Sequence, residues 1–206
     1  MTDAVAIFGT GGFAREVACI LHDQGRGDRI VAFHEPDEVH EPRELLGVPV
    51  RPQSAFNPRE HRAVVGIGNP AVRQKVVSEL PTDTIFETLI HPTVVMSSWV
   101  DVGAGSIICA GCVLTCQISI GAHCHINLNT TVGHDCIFGD FCTVAPGTNI
   151  SGNCQFGTRV DVGTQASFRQ GVRVCDDAVI GMGTVVVKNI AEAGTYVGVP
   201  AKKVGA

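Results

Sequence analysis

Residues 131–150 read TVGHDCIFGDFCTVAPGTNI, with a large apolar residue at every sixth place: Val132, Phe138, Val144 and Ile150. The spacing continues in both directions. It starts at Ile90 and passes through Met96, Val102, Ile108, Leu114, Ile120 and Ile126. Beyond Ile150 it runs through Phe156, Val162, Phe168, Val174, Ile180 and Val186, with no member missing. Four places after each of these the residue is mostly small, as at Ser106, Cys112, Cys124, Thr130, Cys136, Cys142, Thr148, Cys154, Ala166, Ala178 and Thr184. Glycine often follows the large residue directly, as at Gly103, Gly121, Gly133, Gly139, Gly157, Gly163 and Gly181. This period is the signature of a parallel β-helix built from hexapeptides.

Side-chain alternation along a strand then sets the register. With the large apolar residue as position i, positions i+4 and i+6 point inward and i+5 points outward. Positions i+1 to i+3 form a corner, where glycine is expected to accommodate positive φ. Three flat strands close one triangular coil, so residues eighteen apart stack on one corner. Val132, Val144, Ile150 and Val162 are expected inside a solenoid of about five coils. Of the nine cysteines, Cys112, Cys124, Cys136, Cys142 and Cys154 fall at the inward small position. No CxxC occurs, so they read as small buried side chains rather than a disulfide framework or zinc site.

The same register sets His134 at i+2 and Asp135 at i+3, on a corner and facing outward. Eighteen residues on, that corner carries Gly152, whose N–H could lie close to a ligand. Asn127 occupies i+1 of an adjoining corner. A base, a carboxylate beside it and an exposed backbone donor meet the requirements of acyl transfer. Cys136, inward, is not assigned as a nucleophile.

Before Ile90 the pattern differs. AVAIF is a strand, followed by the turn Gly9-Thr10-Gly11-Gly12 and a helix carrying Phe13, Val17, Ile20 and Leu21 on one face. Ile30 to Phe33 and Ala63 to Gly68 read as further strands. Asn69-Pro70 opens a second helix as cap and first-turn proline, expected to bury Val72, Val76 and Leu80. Strand, helix and strand in this order predict a small parallel sheet. Both glycine turns, Gly9 to Gly12 and Gly66 to Asn69, would offer backbone N–H groups to an anion at one sheet edge. The full GxGxxG spacing is absent, which argues against NAD.

Apolar residues make up 45% of the 206-residue chain against 17% charged, which excludes a disordered protein. A net charge of −5 gives no electrostatic case for nucleic acid or an anionic membrane. No secretory signal or membrane span is evident, so a soluble cytoplasmic protein is expected.

The motifs GTGGFAREV, GIGN with Arg73, IHP (Ile90 to Pro92), VGHDCIFGDF and GVPAKKV run in order over nearly the whole chain. On these the chain resembles the NeuD/PglD-like sugar acetyltransferases, hexapeptide-repeat acyltransferases. The resemblance implies an α/β Rossmann-like nucleotide-sugar-binding domain at 1–89 and a left-handed parallel β-helix with a C-terminal extension at 90–206. It implies homotrimers, acetyl-CoA as cosubstrate between neighbouring β-helices, and no metal. His134 would be the general base and Asp135 would orient it. Gly9, Gly11, Gly12, Gly68, Asn69, Arg73, Asn127 and Thr143 would serve the sugar nucleotide or sugar. Gly152, Thr164, Met182, Gly183, Pro200, Lys202 and Lys203 would serve CoA. Thr143 departs from the family pattern, where many relatives have histidine. The outward apolar residues Ile107, Val113 and Ile137 are expected to support assembly.

The acceptor is expected to be the amino group of a nucleotide-linked 4-amino-4,6-dideoxy sugar, with a sialic-acid-type hydroxyl as the alternative. Two other readings compete. Histidines 123, 125 and 134 could suggest a zinc enzyme like the γ-class carbonic anhydrases, and a non-catalytic β-helical scaffold is conceivable.

Overall fold

The computed structural model describes residues 3–205. The N-terminal sheet contains β1 (Val5–Phe8), β2 (Ile30–Glu35), β3 (Glu44–Leu45), β4 (Val48–Pro52) and β5 (Arg62–Val65) in the order β3-β4-β2-β1-β5. β1, β2, β4 and β5 are parallel, while β3 closes an antiparallel edge hairpin on β4. The hairpin carries little apolar periodicity, and the sequence reading does not include it. Helix α1 (Gly12–Asp23) buries Val17, Ile20 and Leu21 against the sheet, as its spacing predicts, together with Ala14 and Ala18, while Phe13 is half-buried. Helix α2 (Pro70–Glu79) differs from expectation. Leu80 is buried and Val76 half-buried, but Val72 is 49% exposed, and Arg73 takes the inward place instead. The helix packs on a polar partner, so apolar spacing alone misjudges its inner face.

From Leu89 the chain winds into the left-handed parallel β-helix. Its second face stacks Val95–Met96, Val113–Leu114, Thr131–Val132, Asn149–Ile150, Ser167–Phe168 and Val185–Val186. Each strand pairs with the one eighteen residues on, as Val113 with Thr131 and Val132 with Ile150. The third face runs from Val100–Val102 to Arg173–Val174. The docked face, so named because the N-terminal domain sits on it, runs from Leu89–Ile90 to Ala178–Ile180 and continues into the terminal strands Gly194–Val197 and Lys202–Lys203.

Val132, Val144, Ile150 and Val162 are all buried inside, so the register holds. The inward small residues have a second task. Sγ of Cys124, Cys136 and Cys142 lies 3.1, 3.3 and 3.0 Å from the carbonyls of Gly139, Ser151 and Gly157. The thiol thus fills the corner and gives a carbonyl a weak donor.

The glycine expectation holds in part. Positive φ falls at i+3, on glycine at Gly105, Gly111, Gly147, Gly171 and Gly183 but more often on other residues, such as Asp135 at +60° and Phe141 at +60°. The i+1 glycines are required by close coil approach instead: a Cβ at Gly133 would lie 2.6 Å from the Gly152 nitrogen. Ile107 is also corrected. It is buried with Leu89, Cys109, Val17 and Leu21 under the molecule's own N-terminal domain, so it offers nothing to a second copy. Val113 and Ile137 remain exposed.

Candidate active site

His134 and Asp135 stand on the corner between the second and third faces, 50% and 43% exposed at their side chains. Nδ1 of His134 lies 2.6 Å from Asp135 Oδ2. A carboxylate can only accept, so Nδ1 carries the proton, and in the neutral imidazole the lone pair is then on Nε2. The ring lies over Gly152, and a Cβ there would come within 2.6 Å of both Cε1 and Nε2. Glycine at 152 therefore makes room for the imidazole.

The Gly152 N–H has a telling position. At the matching place on the next corner, Ala122 N–H donates to Asp140 Oδ1 at 2.7 Å and Thr158 N–H donates to Asp176 Oδ1 at 2.8 Å. The N–H at i+2 thus points outward along the edge, ready for an oxygen. Among the described residues no oxygen takes the Gly152 N–H. A base with its lone pair beside a free donor is the geometry of proton removal coupled to carbonyl polarisation.

The other expected residues divide between two further places. Asn127, Thr164 and Met182 lie on the corner between the docked and second faces, one edge of the prism away from His134. Asn127 is buried, and its Nδ2 donates to the Val144 carbonyl at 2.8 Å. Met182 is 79% exposed, and Gly183 N–H donates to the Thr164 carbonyl at 2.9 Å. Near the C-terminus Lys203 pairs with Glu192 at 3.1 Å, whereas Lys202 is exposed; Pro200 is exposed beside them.

The glycine turns meet in a cleft of about 430 Å³ at the C-terminal edge of the parallel strands. Gly9, Gly11, Gly12 and Gly68 line it, with His34, Glu35 and Gln53 opposite. The N-terminus of α1 faces it, a favourable end for an anion. Gly9 has φ +112° and a Cβ there would lie 3.0 Å from the Gly66 carbonyl, so the turn requires glycine. Asn69 caps α2, its Oδ1 accepting from Val72 N–H at 3.0 Å. An adjoining hollow of about 590 Å³ shares Pro36, Gln53, Val72 and Val76 and adds Asp37, Ser54, Phe56 and Lys75. Glu35 is gripped by both outer nitrogens of Arg43 at 2.6 Å, which holds its carboxyl down at about 2. Nothing in the sequence announces that pair, because the partners lie on separate segments.

Arg73 and Thr143 depart from the sequence reading. Arg73 is fully buried and does not reach the cleft. Its Nε donates to the His123 carbonyl at 2.8 Å, Nη1 to Ile67 and Gly68 carbonyls at 2.6 and 3.0 Å, and Nη2 to the Phe141 carbonyl at 2.8 Å. Burial draws its pKa down to about 10. Thr143 Oγ1 accepts from Arg73 Nη2 at 3.0 Å and donates to the Gly68 carbonyl at 2.7 Å. Both are junction residues because the docked face is covered by the N-terminal domain.

The same cover explains His123 and His125. His123 is sandwiched against Phe141 and meets Phe86 edge-on, while His125 packs on Phe13. Burial, with Arg73 nearby, lowers His123 to about 4 and His125 well below its ordinary value. Neither shares an edge with His134, so the three rings do not converge within one chain. Among the described residues no group of His, Cys, Asp and Glu could hold a metal ion, and no helix is long and apolar enough to cross a membrane.

Residues 4–80 match the PglD N-terminal domain family. A GDP-perosamine N-acetyltransferase of Escherichia coli O157:H7 is 29% identical over 174 residues, covering 81% of this chain and 78% of its own. PerB of Caulobacter crescentus, solved with CoA and GDP-perosamine, is 31% identical with a TM-score of 0.89, covering 100% of this chain and 99% of its own. The acetyltransferase domain of PglB from Neisseria gonorrhoeae FA1090, solved with acetyl coenzyme A, is 27% identical with a TM-score of 0.91, covering 99% of this chain and 100% of its own. Motifs at both ends, a shared fold over the full length and an exposed His–Asp pair on a solenoid corner agree: the chain belongs to the NeuD/PglD-like sugar acetyltransferases and is an acyltransferase.

Proposed function

We propose that the protein transfers the acetyl group of acetyl-CoA to the amino group of a nucleotide-linked 4-amino-4,6-dideoxy sugar. The relatives solved with CoA and GDP-perosamine support that substrate class. The observation that carries the mechanism is the His134 ring, held by Asp135 at one nitrogen and poised over Gly152 at the other. Nε2 takes a proton from the amine as its nitrogen attacks the thioester carbonyl. The Gly152 N–H receives the oxyanion that forms. Nitrogen gains the acyl group, CoA leaves as the thiolate, and the imidazolium returns the proton to that sulfur. No acyl-enzyme is needed, because the thioester is already activated and both substrates are held together.

Residues 1–89 hold the nucleotide and residues 90–206 carry out the transfer. The diphosphate lies at Gly9, Gly11, Gly12 and Gly68, and the base in the adjoining hollow beside Phe56 and Val72. CoA runs past Gly152, Thr164 and Met182–Gly183 towards Pro200 and Lys202, whose ammonium meets its phosphates.

A homotrimer completes the site. Asn127, Thr164 and Met182 lie on one edge of the prism, whereas His134, Asp135 and Gly152 lie on another, with the second face between. A threefold arrangement brings the first edge of one protomer against the second edge of its neighbour. The exposed Val113, on the second face, and Ile137, on the third, support such packing.

Thiol release from acetyl-CoA tests the reaction with GDP-, UDP- and dTDP-linked 4-amino-4,6-dideoxy sugars and with sialic acid. Release with an amino-sugar nucleotide and formation of its amide is the expected result. Release only with sialic acid would replace nitrogen by oxygen as the acceptor.

A further inference from the structure

We infer that Arg73 and Thr143 form a registration pin, which holds the nucleotide cradle at one height on the β-helix and so sets where the tethered sugar arrives. This rests on the reading of the glycine cleft as a nucleotide cradle. Both are positioning residues: neither lines the cleft, and each acts through the Ile67–Gly68 segment that does.

One side of the guanidinium grips the carbonyls of Ile67 and Gly68 in the cradle wall. The other grips the carbonyls of His123, Phe141 and Cys142 on two stacked coils, and the Thr143 hydroxyl. Thr143 closes the loop by donating to the Gly68 carbonyl at 2.7 Å. The pin therefore ties one wall of the cradle to adjacent rungs of the solenoid through seven hydrogen bonds of fixed direction.

Adhesion between the two parts does not need it. Leu89, Ile107 and Cys109 share one apolar core with Val17, Ile20 and Leu21, and Phe13 packs at a tilt on His125. Apolar contact is non-directional and tolerates sliding. A buried cation whose partners are carbonyls and a hydroxyl carries a large desolvation penalty, so it is a poor way to gain adhesion alone. A planar fork of five donors fixes position and orientation together. Position matters here because a misplacement of about 1 Å at a reacting centre costs roughly 10²-fold in rate.

The cleft and its adjoining hollow are lined by residues of the N-terminal domain alone. Loosening the pin should therefore leave nucleotide binding in place and spoil delivery. The test uses the full chain and four forms: wild type, Thr143→Val, Thr143→Ser and Arg73→Lys. Calorimetry measures GDP and CoA affinity and counts CoA sites, and kcat on the amino-sugar nucleotide is expressed per CoA site. Thr143→Val and Arg73→Lys should lose about 10- to 100-fold in that kcat, with GDP and CoA affinities within about threefold of wild type. Thr143→Ser, which keeps the hydroxyl, should restore most of the rate. Arg73→Lys is the harsher change; if it does not fold, the two threonine variants decide. Unchanged kcat per CoA site in Thr143→Val, or a loss that serine does not restore, overturns the pin. Loss of GDP and CoA sites in step with activity does so too, since that marks a purely structural role. Wild type that turns over no amino-sugar nucleotide sinks the proposed reaction instead, whereas active wild type with unaffected variants sinks the pin alone.

Discussion

The imidazole of His134 occupies the space that a side chain at Gly152 would fill, with Cε1 and Nε2 both 2.6 Å from the place of its Cβ. The two residues are eighteen apart and stack on one corner, so coil geometry rather than sequence proximity brings them together. Gly152→Ala should push the ring off the edge by rotating a flexible side chain. Stability should change by less than about 1 kcal/mol, while kcat drops on the order of 10²-fold. Thermal unfolding and steady-state rates on one preparation check both halves.

Removing the ring is the direct test of the base. His134→Ala should lower kcat by roughly 10²–10⁴-fold, with CoA binding and assembly intact, because an exposed corner ring supports no core. Unchanged kcat on the true acceptor would leave the base assignment without support.

Asp135→Asn should cost less than His134→Ala. It loses the charge that holds Nδ1–H, yet asparagine tolerates the φ of +60° at this corner. A drop in melting temperature with normal turnover would instead mark the pair as structural.

Acid should loosen the domain junction. His123 titrates near 4 when folded, against an ordinary value near 6.5. Between those values the unfolded chain binds more protons, so stability is full above about 6.5 and falls as pH drops, by up to about 1.4 kcal/mol per pH unit for this residue. His123→Phe should flatten that slope while keeping the stack on Phe141, as denaturant titrations from pH 7 to 4 would show. An unaltered slope would assign the acid sensitivity to His125 or His34.

At the other end of the solenoid, Lys202→Ala should weaken CoA more than Lys203→Ala does, since Lys203 is already paired with Glu192. Calorimetry with CoA separates them, and equal effects would mean that the Glu192 pair opens on binding.

Sequence by itself determined the solenoid, because a coil that stacks on itself imposes one side-chain choice per position and repeats it. The period sets which side chains face inward, and it places His134 and Asp135 on an outward corner before any coordinates exist. The glycine turns are legible for a similar reason: each is a local backbone requirement at a strand end. Tertiary structure alone decided which solenoid face the N-terminal domain covers. Outward positions on all three faces obey the same local rule, so nothing in the repeat distinguishes the buried Ile107, His125 and Thr143 from the exposed Val113 and Ile137. The same holds for Arg73, whose partners lie up to 70 positions away and are mostly backbone carbonyls, which every residue has. A long-range hydrogen bond to a carbonyl leaves no mark on the identity of the residue that accepts it.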